Sequence, residues 1–299
     1  MKLIKPSFEI IDQKSGLEGM YKQIELAGRT CYKSEDKITE TSAKEFVDRM
    51  IKSGHGAMLE HGTVYLAIPY SPFDSKYQEH FKYRNNKYSK ISNDLSPYNS
   101  IAYVTTNLRV LVENNWLDDL QHICEPTIHH EKRHTVKFIC DRGVSHEFVR
   151  HRVFSFAQES TRYCNYSKDK FSNEITYICP CWLDYDKVQK LTEIANKDNK
   201  EVYRMGHDES LSMEERGLCS FVYDMSNHEH GYLFQISTGW KAQEARAILP
   251  NSLKTELVMT GFVSDWEHFF KLRTAGSAHP QARELAIPLH QEFITRKYI

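Results

Sequence analysis

Charge of one sign is what this 299-residue sequence lacks first: 39 basic residues face 40 acidic ones, for a formal net charge of −1. A chain so balanced has no global field to draw it to nucleic acid or an anionic membrane, so an anion site must come from local clustering of Arg, Lys and His. Long apolar runs are missing too. No stretch approaches the ~18 uninterrupted apolar residues of a membrane helix, and the opening MKLIKPSFEIIDQ lacks the apolar run of a signal peptide. A soluble, cytoplasmic protein is expected. Seven cysteines, at 31, 124, 140, 164, 179, 181 and 219, are odd in number and irregularly spaced, which argues against a disulfide framework and for small core residues in a reducing compartment. Cys179-Pro-Cys181 is too closely spaced for CxxC, and no second pair completes a zinc site. Glycine-rich phosphate cradles are also wanting. Gly54-His-Gly56 is followed by Leu59 where GxGxxG needs its third glycine, and there is no GxxxxGK[ST], so a dinucleotide would not be held by a Rossmann or P-loop turn.

What is present suffices for a real core. Hydrophobic residues make up 40% of the chain, and no internal repeat or low-complexity linker divides it. Ser42-Ala-Lys-Glu45 has capping-box spacing, and Phe46, Val47, Met50 and Ile51 follow at helical intervals up to a stop at Gly54. Residues 63–69 read as a strand. Residues 71–100 are polar and aromatic, with Ser-Pro and Asn-Asp turn signals and too few aliphatics to close a core. An inserted excursion is expected there, reaching to about residue 125.

Beyond it the pattern predicts a helix over 107–122, a strand over 135–140, a turn at Asp141-Arg-Gly143, and a helix from about Ser145 that carries Arg150. Capping boxes at Ser212-Met-Glu-Glu215 and Ser264-Asp-Trp-Glu267 open a long helix reaching Phe234 and another ending at Arg273, with a strand at 255–262 between them. Strands and helices alternate without a run of βαβ units. The fold class expected is α/β of the α+β type: one domain over 1–299, with a mixed or antiparallel sheet packed by long helices.

Two motifs compete for the chemistry. His130-Glu-Lys-Arg-His134 matches HExxH, whose histidines must sit one turn apart on a stable helix to hold zinc. Here Pro126 lies just upstream and strand-like alternation begins at Thr135, leaving barely one turn, which is costly to nucleate. A chance match, with no metal, is the better reading. The second motif is Arg150-His-Arg-Val-Phe-Ser-Phe-Ala-Gln-Glu-Ser-Thr-Arg-Tyr163, where three arginines and a histidine interleave with large apolar residues. A guanidinium near apolar surface needs an anion, and its planar fork suits a phosphate or an imide edge. An ion-pair network with Glu147 and Glu159 explains the composition equally well. Arg273 tips the balance, because Trp266, Phe269, Phe270 and Arg273 fall at i, i+3, i+4 and i+7, putting a charge on an aromatic stripe. Arg246, before Ala-Ile-Leu-Pro250, also points toward apolar surroundings. Two further arginines so placed fit a shared anionic ligand. Ser160 has no GxSxG elbow to mark it as a nucleophile.

At these residues the chain resembles the flavin-dependent thymidylate synthases. That family's signature is RHR, seven residues, then Ser, with Arg-Tyr two positions on; Arg150-His-Arg152, Ser160 and Arg162-Tyr163 satisfy it. Gly54-His55 with Glu60-His61, Arg246 with Leu249-Pro250, and Leu272-Arg273 before His279 and Gln281 follow in the family's order. The resemblance implies methylation of dUMP to dTMP, with methylenetetrahydrofolate as carbon donor and NADPH-reduced FAD as hydride donor, in a homotetramer with shared active sites. It implies Arg273 and Arg162 as catalytic. Glu147, Arg150, Gln158, Glu159, Ser160, Thr161, Arg162, Arg246 and Arg273 would bind dUMP. FAD would meet Ala57, Glu60, Arg150, His151, Arg152, Gln158, Ser264 and His268, with His55 beside folate and flavin. No cysteine nucleophile is implied.

Some positions depart from the pattern. Gln158 stands where many members have Glu, and Glu147 where some have Gln. Phe262, Ser264 and His268 replace an Asn, an Arg and an Asn that touch FAD in compact members, and the 71–125 stretch is longer than theirs. Two other classes of function stay in view beside this one: a zinc hydrolase using His130 and His134, and a non-catalytic nucleotide- or RNA-binding protein using the 150–163 arginines, against which the neutral charge counts.

Overall fold

A computed structural model describes residues 1–70, 80–94 and 100–299. Its strands are β1 (Lys2–Ile4), β2 (Ser7–Ile11), β3 (Thr63–Tyr70), β4 (Lys90–Asp94), β5 (Ser100–Asn107), β6 (Arg133–Asp141), β7 (Ser155–Gln158), β8 (Thr176–Ile178) and β9 (Lys254–Phe262). The helices of its first half are α1 (Gly16–Tyr32), α2 (Ser42–Lys52), α3 (Gly56–Leu59), α4 (Phe81–Arg84), α5 (Leu108–Glu113) and α6 (Arg142–Phe148). Those of its second half are α7 (Tyr185–Lys197), α8 (Asn199–Gly206), α9 (Met213–Ser237), α10 (Ala242–Ala245), α11 (Val263–Arg273) and α12 (Pro280–Thr295). The architecture mixes helix and sheet, as expected. Among the described residues no helix is long and apolar enough to cross a membrane.

Three sheets organise the described residues. The main one is antiparallel in the order β2-β6-β9-β7, with Phe8 opposite Phe138, Phe138 opposite Leu257, and Gln158 also opposite Leu257. A second antiparallel sheet runs β3-β5-β4, and β1 pairs β8 in parallel. β9 is buried on both faces, with an apolar centre, Leu257-Val-Met259, and Thr255, Glu256 and Thr260 buried beside it. On one face Leu257 and Met259 meet Phe148, Trp266, Phe269 and Phe293 from α6, α11 and α12. On the other, Val258 and Ala157 meet Ala27 of α1. β3 and β5 pack with α1, α2 and α5 in a further core, and α7, α8 and α9 close one over β1 and β8.

Several local expectations need correction. Ser42 does not cap α2: Thr41 holds the cap position, and the Ser42 hydroxyl donates to Glu25 (2.9 Å) while accepting the Thr39 amide. The box at Ser212 forms, with the Glu215 amide on the Ser212 hydroxyl and the Ser212 amide on the Glu215 carboxylate. At α11 the boundary shifts by two residues. Asp265, not Glu267, accepts the capping amide, from Phe262 (3.1 Å), and Ser264 lies inside the first turn with its hydroxyl on Glu131.

The helix expected over 107–122 breaks after α5. Asn115 turns into the left-handed region (φ 59°), which Asn tolerates, and a 3₁₀ segment, Leu117–His122, follows. The 71–100 stretch is indeed poor in aliphatics, yet its described part closes a core with an aromatic. Tyr83 is fully buried, edge-on to Trp116, and donates to Asp119. The Ser-Pro signals at 71–72 and 96–97 lie outside the described residues.

Asp141-Arg-Gly143 is the start of α6 rather than a turn. The Asp141 carboxylate accepts the Val144 amide (2.6 Å) with one oxygen and the Gln281 side-chain amide of α12 (2.5 Å) with the other. α6 ends at Phe148, so Arg150 lies past it, in tight turns where the His151 amide reaches Phe148 O and the Phe154 amide reaches His151 O. Those turns drop Phe154 into the core, 4.7 Å from Trp266 ring to ring, over the bare backbone of Gly261. A methyl group on Gly261 would sit 2.5 Å from the Phe154 ring. Gly261→Ala is therefore expected to destabilise the protein by about 1–3 kcal/mol through overpacking. Adding Phe154→Leu should recover part of the loss, and urea unfolding of both variants decides whether the clash is real.

Candidate active site

The two ends of β7 carry the signature, and the structure gathers some of the expected residues into a cluster at each. Before β7, α11 brings Arg273 back to the end of α6. Its Nε donates to His151 Nε2 (2.9 Å), Nη1 to the Glu147 carboxylate (2.6 Å) and Nη2 to the Glu147 carbonyl (2.6 Å). The aromatic stripe is as expected, with Trp266, Phe269 and Phe270 buried, and Arg273 half-buried beside them. The charge is met within the chain by Glu147. His151 is itself buried, and desolvation first, then the Arg273 guanidinium and His268, push its pKa down to about 4. A neutral imidazole that accepts at Nε2 keeps its proton on Nδ1. His268 is exposed, its ring 6.2 Å from that of His151.

After β7 the chain crosses a buried charged network. Glu159 accepts from Lys254 (2.8 Å) and from Tyr166 (3.2 Å). Lys254 also binds Glu256, which takes Lys33 (2.7 Å) and Lys137 (2.6 Å) as well. Burial opposes ionisation of Glu256, yet the fields of Lys254 and Lys33, with hydrogen bonds from Lys137 and Lys254, hold its carboxyl well below the usual carboxylate range. Gln158 donates to Ser145 and Thr255, and the Ser160 amide donates to Cys31 O. Thr161 is buried and accepts from Arg246 (3.3 Å). Arg246 corrects an expectation: it is exposed, because it lies on a surface 3₁₀ turn, and does not point into apolar surroundings. Arg150, Arg152 and Arg162 are exposed too, as are Val153 and Tyr163, each at 58%.

The remaining expected residues lie on the helix α3 side. His55 and Ala57 are exposed at a shallow cavity near Tyr32, whose hydroxyl is 3.4 Å from His55 Nδ1 and whose ring meets Tyr163 edge-on. Glu60 pairs with Arg109 (2.5 Å) and shares a cavity of about 370 Å³ with Arg152. His130 and His134 sit on no common helix. The first lies in a turn with Nε2 against Leu66 O, and the second in β6, its ring stacked on Tyr298 at 3.8 Å.

The family model described as "Thymidylate synthase complementing protein" matches residues 12–130 and 127–296. The chain belongs to this family. Among curated relatives, a flavin-dependent thymidylate synthase of Corynebacterium aurimucosum is 25% identical over 266 residues, covering 88% of this chain and 72% of its own. Another, from Mycolicibacterium vanbaalenii, is 29% identical over 275 residues, covering 91% and 74%. A solved UMP/dUMP methylase from Streptomyces cacaoi, bound with 5-Br dUMP, aligns over 99% of this chain and 93% of its own with TM-score 0.42 and 16% identity, too loose a likeness to carry weight.

Sequence reasoning passed over three charged residues of this chain. Glu256 and Lys254 had a signal: charges next to the apolar centre of a strand are costly unless paired. Arg133, which was absorbed into the HExxH match, opens β6 opposite Phe262 and reaches the Glu60 carbonyl and the Ser155 hydroxyl. The depressed histidines fix a direction in pH. His61 (about 3), His134 (about 4) and His151 (about 4) take up protons in the unfolded chain from about pH 6.5 downward while the folded chain does not. Stability is therefore lost as the pH falls from 6.5 toward 4. Urea titrations at pH 7, 6 and 5 should show a shallower loss for His151→Gln than for the parent; equal slopes would remove His151 from the account.

Proposed function

We propose that the chain methylates dUMP to dTMP, using methylenetetrahydrofolate as carbon donor and FAD reduced by NADPH as hydride donor. Family membership carries this reading, supported by relatives named flavin-dependent thymidylate synthases across most of the chain. The side chains fit a flavin. The cavity shared by Glu60 and Arg152 also holds Arg133, whose buried Nε has no hydrogen-bond partner, as a site awaiting an anionic group would show. When bound, the flavin supplies the hydride. Arg150, His151, Arg152, Ala57, Glu60, Gln158, Ser264 and His268 are assigned to its binding, and His55 to the folate side.

Arg273 is assigned to the uracil. A guanidinium has five N–H donors; one each on Nε, Nη1 and Nη2 is used within the chain, leaving one on each Nη for an imide edge. A cation fixed there favours ionisation at N3 and so raises nucleophilicity at C5. Glu147 and neutral His151 hold the fork in place. Ser160, Thr161, Arg162 and Arg246 are assigned to the nucleotide's remaining contacts, with Arg150, Glu159 and Gln158 around them. The two assigned groups stand at opposite ends of β7, about 13 Å apart by strand rise. That separation, and the exposure of Arg150, Arg152, Val153 and Tyr163, favours a homotetramer in which neighbouring subunits complete each site.

Arg273→Ala is expected to lower dTMP formation 100- to 1,000-fold, on the order of 2.7–4 kcal/mol, with flavin still bound. Arg273→Lys should rescue little, since an ammonium cannot reproduce the planar fork. Heat release and chromatography of the flavin, with dTMP formation on the same preparation, tests both claims. Absence of flavin after reconstitution sinks the reading, and normal turnover per flavin sinks the role of Arg273. Shared sites make a further forecast: coexpressed Arg246→Ala and Arg273→Ala chains regain part of the activity that each lacks alone. No recovery in a mixed assembly confirmed by mass would place both arginines in one subunit's site.

A further inference from the structure

The cavity of about 370 Å³ beside Arg133 has one wall from the inserted stretch: Lys87 and Tyr88 from the turn before β4, and Lys90 from β4 itself. Opposite them stand Arg133, Arg152 and Phe262. The charges do not balance. Of the carboxylates at the cavity, Glu60 is paired with Arg109, so Asp265, held by the Phe262 amide at the start of α11, is the one acidic charge left to face the cations. Four cations remain. Lys87, Arg133 and Arg152 have no ion-pair partner among the described residues, and Lys90 has only a loose one, Glu131 at 3.8 Å. The Lys90 ammonium and the Arg133 guanidinium both lie 5.5 Å from the centre of the Phe262 ring, so two cations converge on one apolar platform. Arg133 is half-buried, desolvation pushes its pKa down to about 10, and its buried Nε is unpartnered. A guanidinium in such a place with no carboxylate in ion-pair contact is costly unless an anion arrives from outside.

We infer that Lys87 and Lys90 of the inserted stretch, with Arg133 and Arg152, bind the diphosphate of the flavin, so that the insertion supplies cofactor contacts. The assignment rests on the flavin reading above. The chemistry is specific: four donors around a partly apolar pocket match a group carrying two negative charges between an isoalloxazine and an adenine, and Tyr88, 46% exposed at the rim, offers a face for a ring. It also accounts for Ser264, whose hydroxyl is taken by Glu131 and so contributes no cation from α11. The lysines across the cavity do that work.

The test uses the full chain stripped of flavin and titrated with FAD, with riboflavin, which lacks phosphate, and with dUMP. Lys87 and Lys90 are exposed, so Lys87→Ala/Lys90→Ala should keep the parent's melting temperature. Loss of two charge-assisted contacts is expected to weaken FAD binding about tenfold or more, with a shallower salt dependence and unchanged riboflavin and dUMP affinities. FAD affinity within twofold of the parent overturns the inference while leaving the flavin reading intact; so does an equal loss for riboflavin. A loss seen only when NADPH is titrated onto flavin-loaded protein would move the phosphate to the other dinucleotide and overturn it too. A parent chain that binds no flavin at all removes the reading and the inference together.

Discussion

One buried carboxylate governs where the signature loop can lie. Glu256 sits on the central strand β9, nearly inaccessible, with Lys33, Lys137 and Lys254 around it. Those three cations belong to the end of α1, to the neighbouring strand β6 and to β9 itself. Lys254 then reaches Glu159 at the start of the signature loop. A charge taken out of water at such depth is tolerable only when its partners are all in place, and removing one leaves the others uncompensated. The loop, the helix and the sheet are thus positioned relative to one another by mutual neutralisation, while the apolar contacts of β9 supply most of the driving force.

The second constraint is steric. The chain leaves α6 at Phe148, turns twice, and enters β7 at Ser155, with Phe154 pinned between Trp266 and Gly261. This anchor lies directly after the Arg150-His-Arg152-Val153 turns, which expose each of those side chains except His151. Side chains held in place at a surface need rigid support from beneath, and here an aromatic cluster gives it. The same cluster brings Arg273 to Glu147, since Phe269 and Phe270 set the rotation of α11.

Much of this was legible in the sequence, for identifiable reasons. The strands at 63–69, 135–140 and 255–262 and the helix after Ser212 are local patterns, and local patterns survive folding. The signature pointed to the right family because its residue types are too particular to recur by chance. What escaped was non-local. Ser42 has the spacing of a cap but finds a better partner in Glu25, on another helix. Arg246 precedes apolar residues in the chain, yet a 3₁₀ turn leaves it facing solvent. Glu256 finds its lysines at sequence distances no periodicity records. Tyr83 shows that a stretch poor in aliphatics still closes a core when one large ring and one hydrogen-bonded carboxylate meet.

The cap of α6 has a bearing on time. Asp141 needs the Gln281 amide for its second oxygen, and Gln281 lies 140 residues further along the chain. At a synthesis rate of about 5–20 residues per second, roughly 7 to 28 s pass between the two leaving the ribosome. Over that interval the helix bearing Glu147 has its local cap but neither its distant partner nor the aromatic floor supplied by α11. The nascent chain must keep the signature arginines and the open face of β9 from wrong partners until the last helices arrive. Assembly of the site is thus a late event in the life of each chain, however early its most distinctive residues are made.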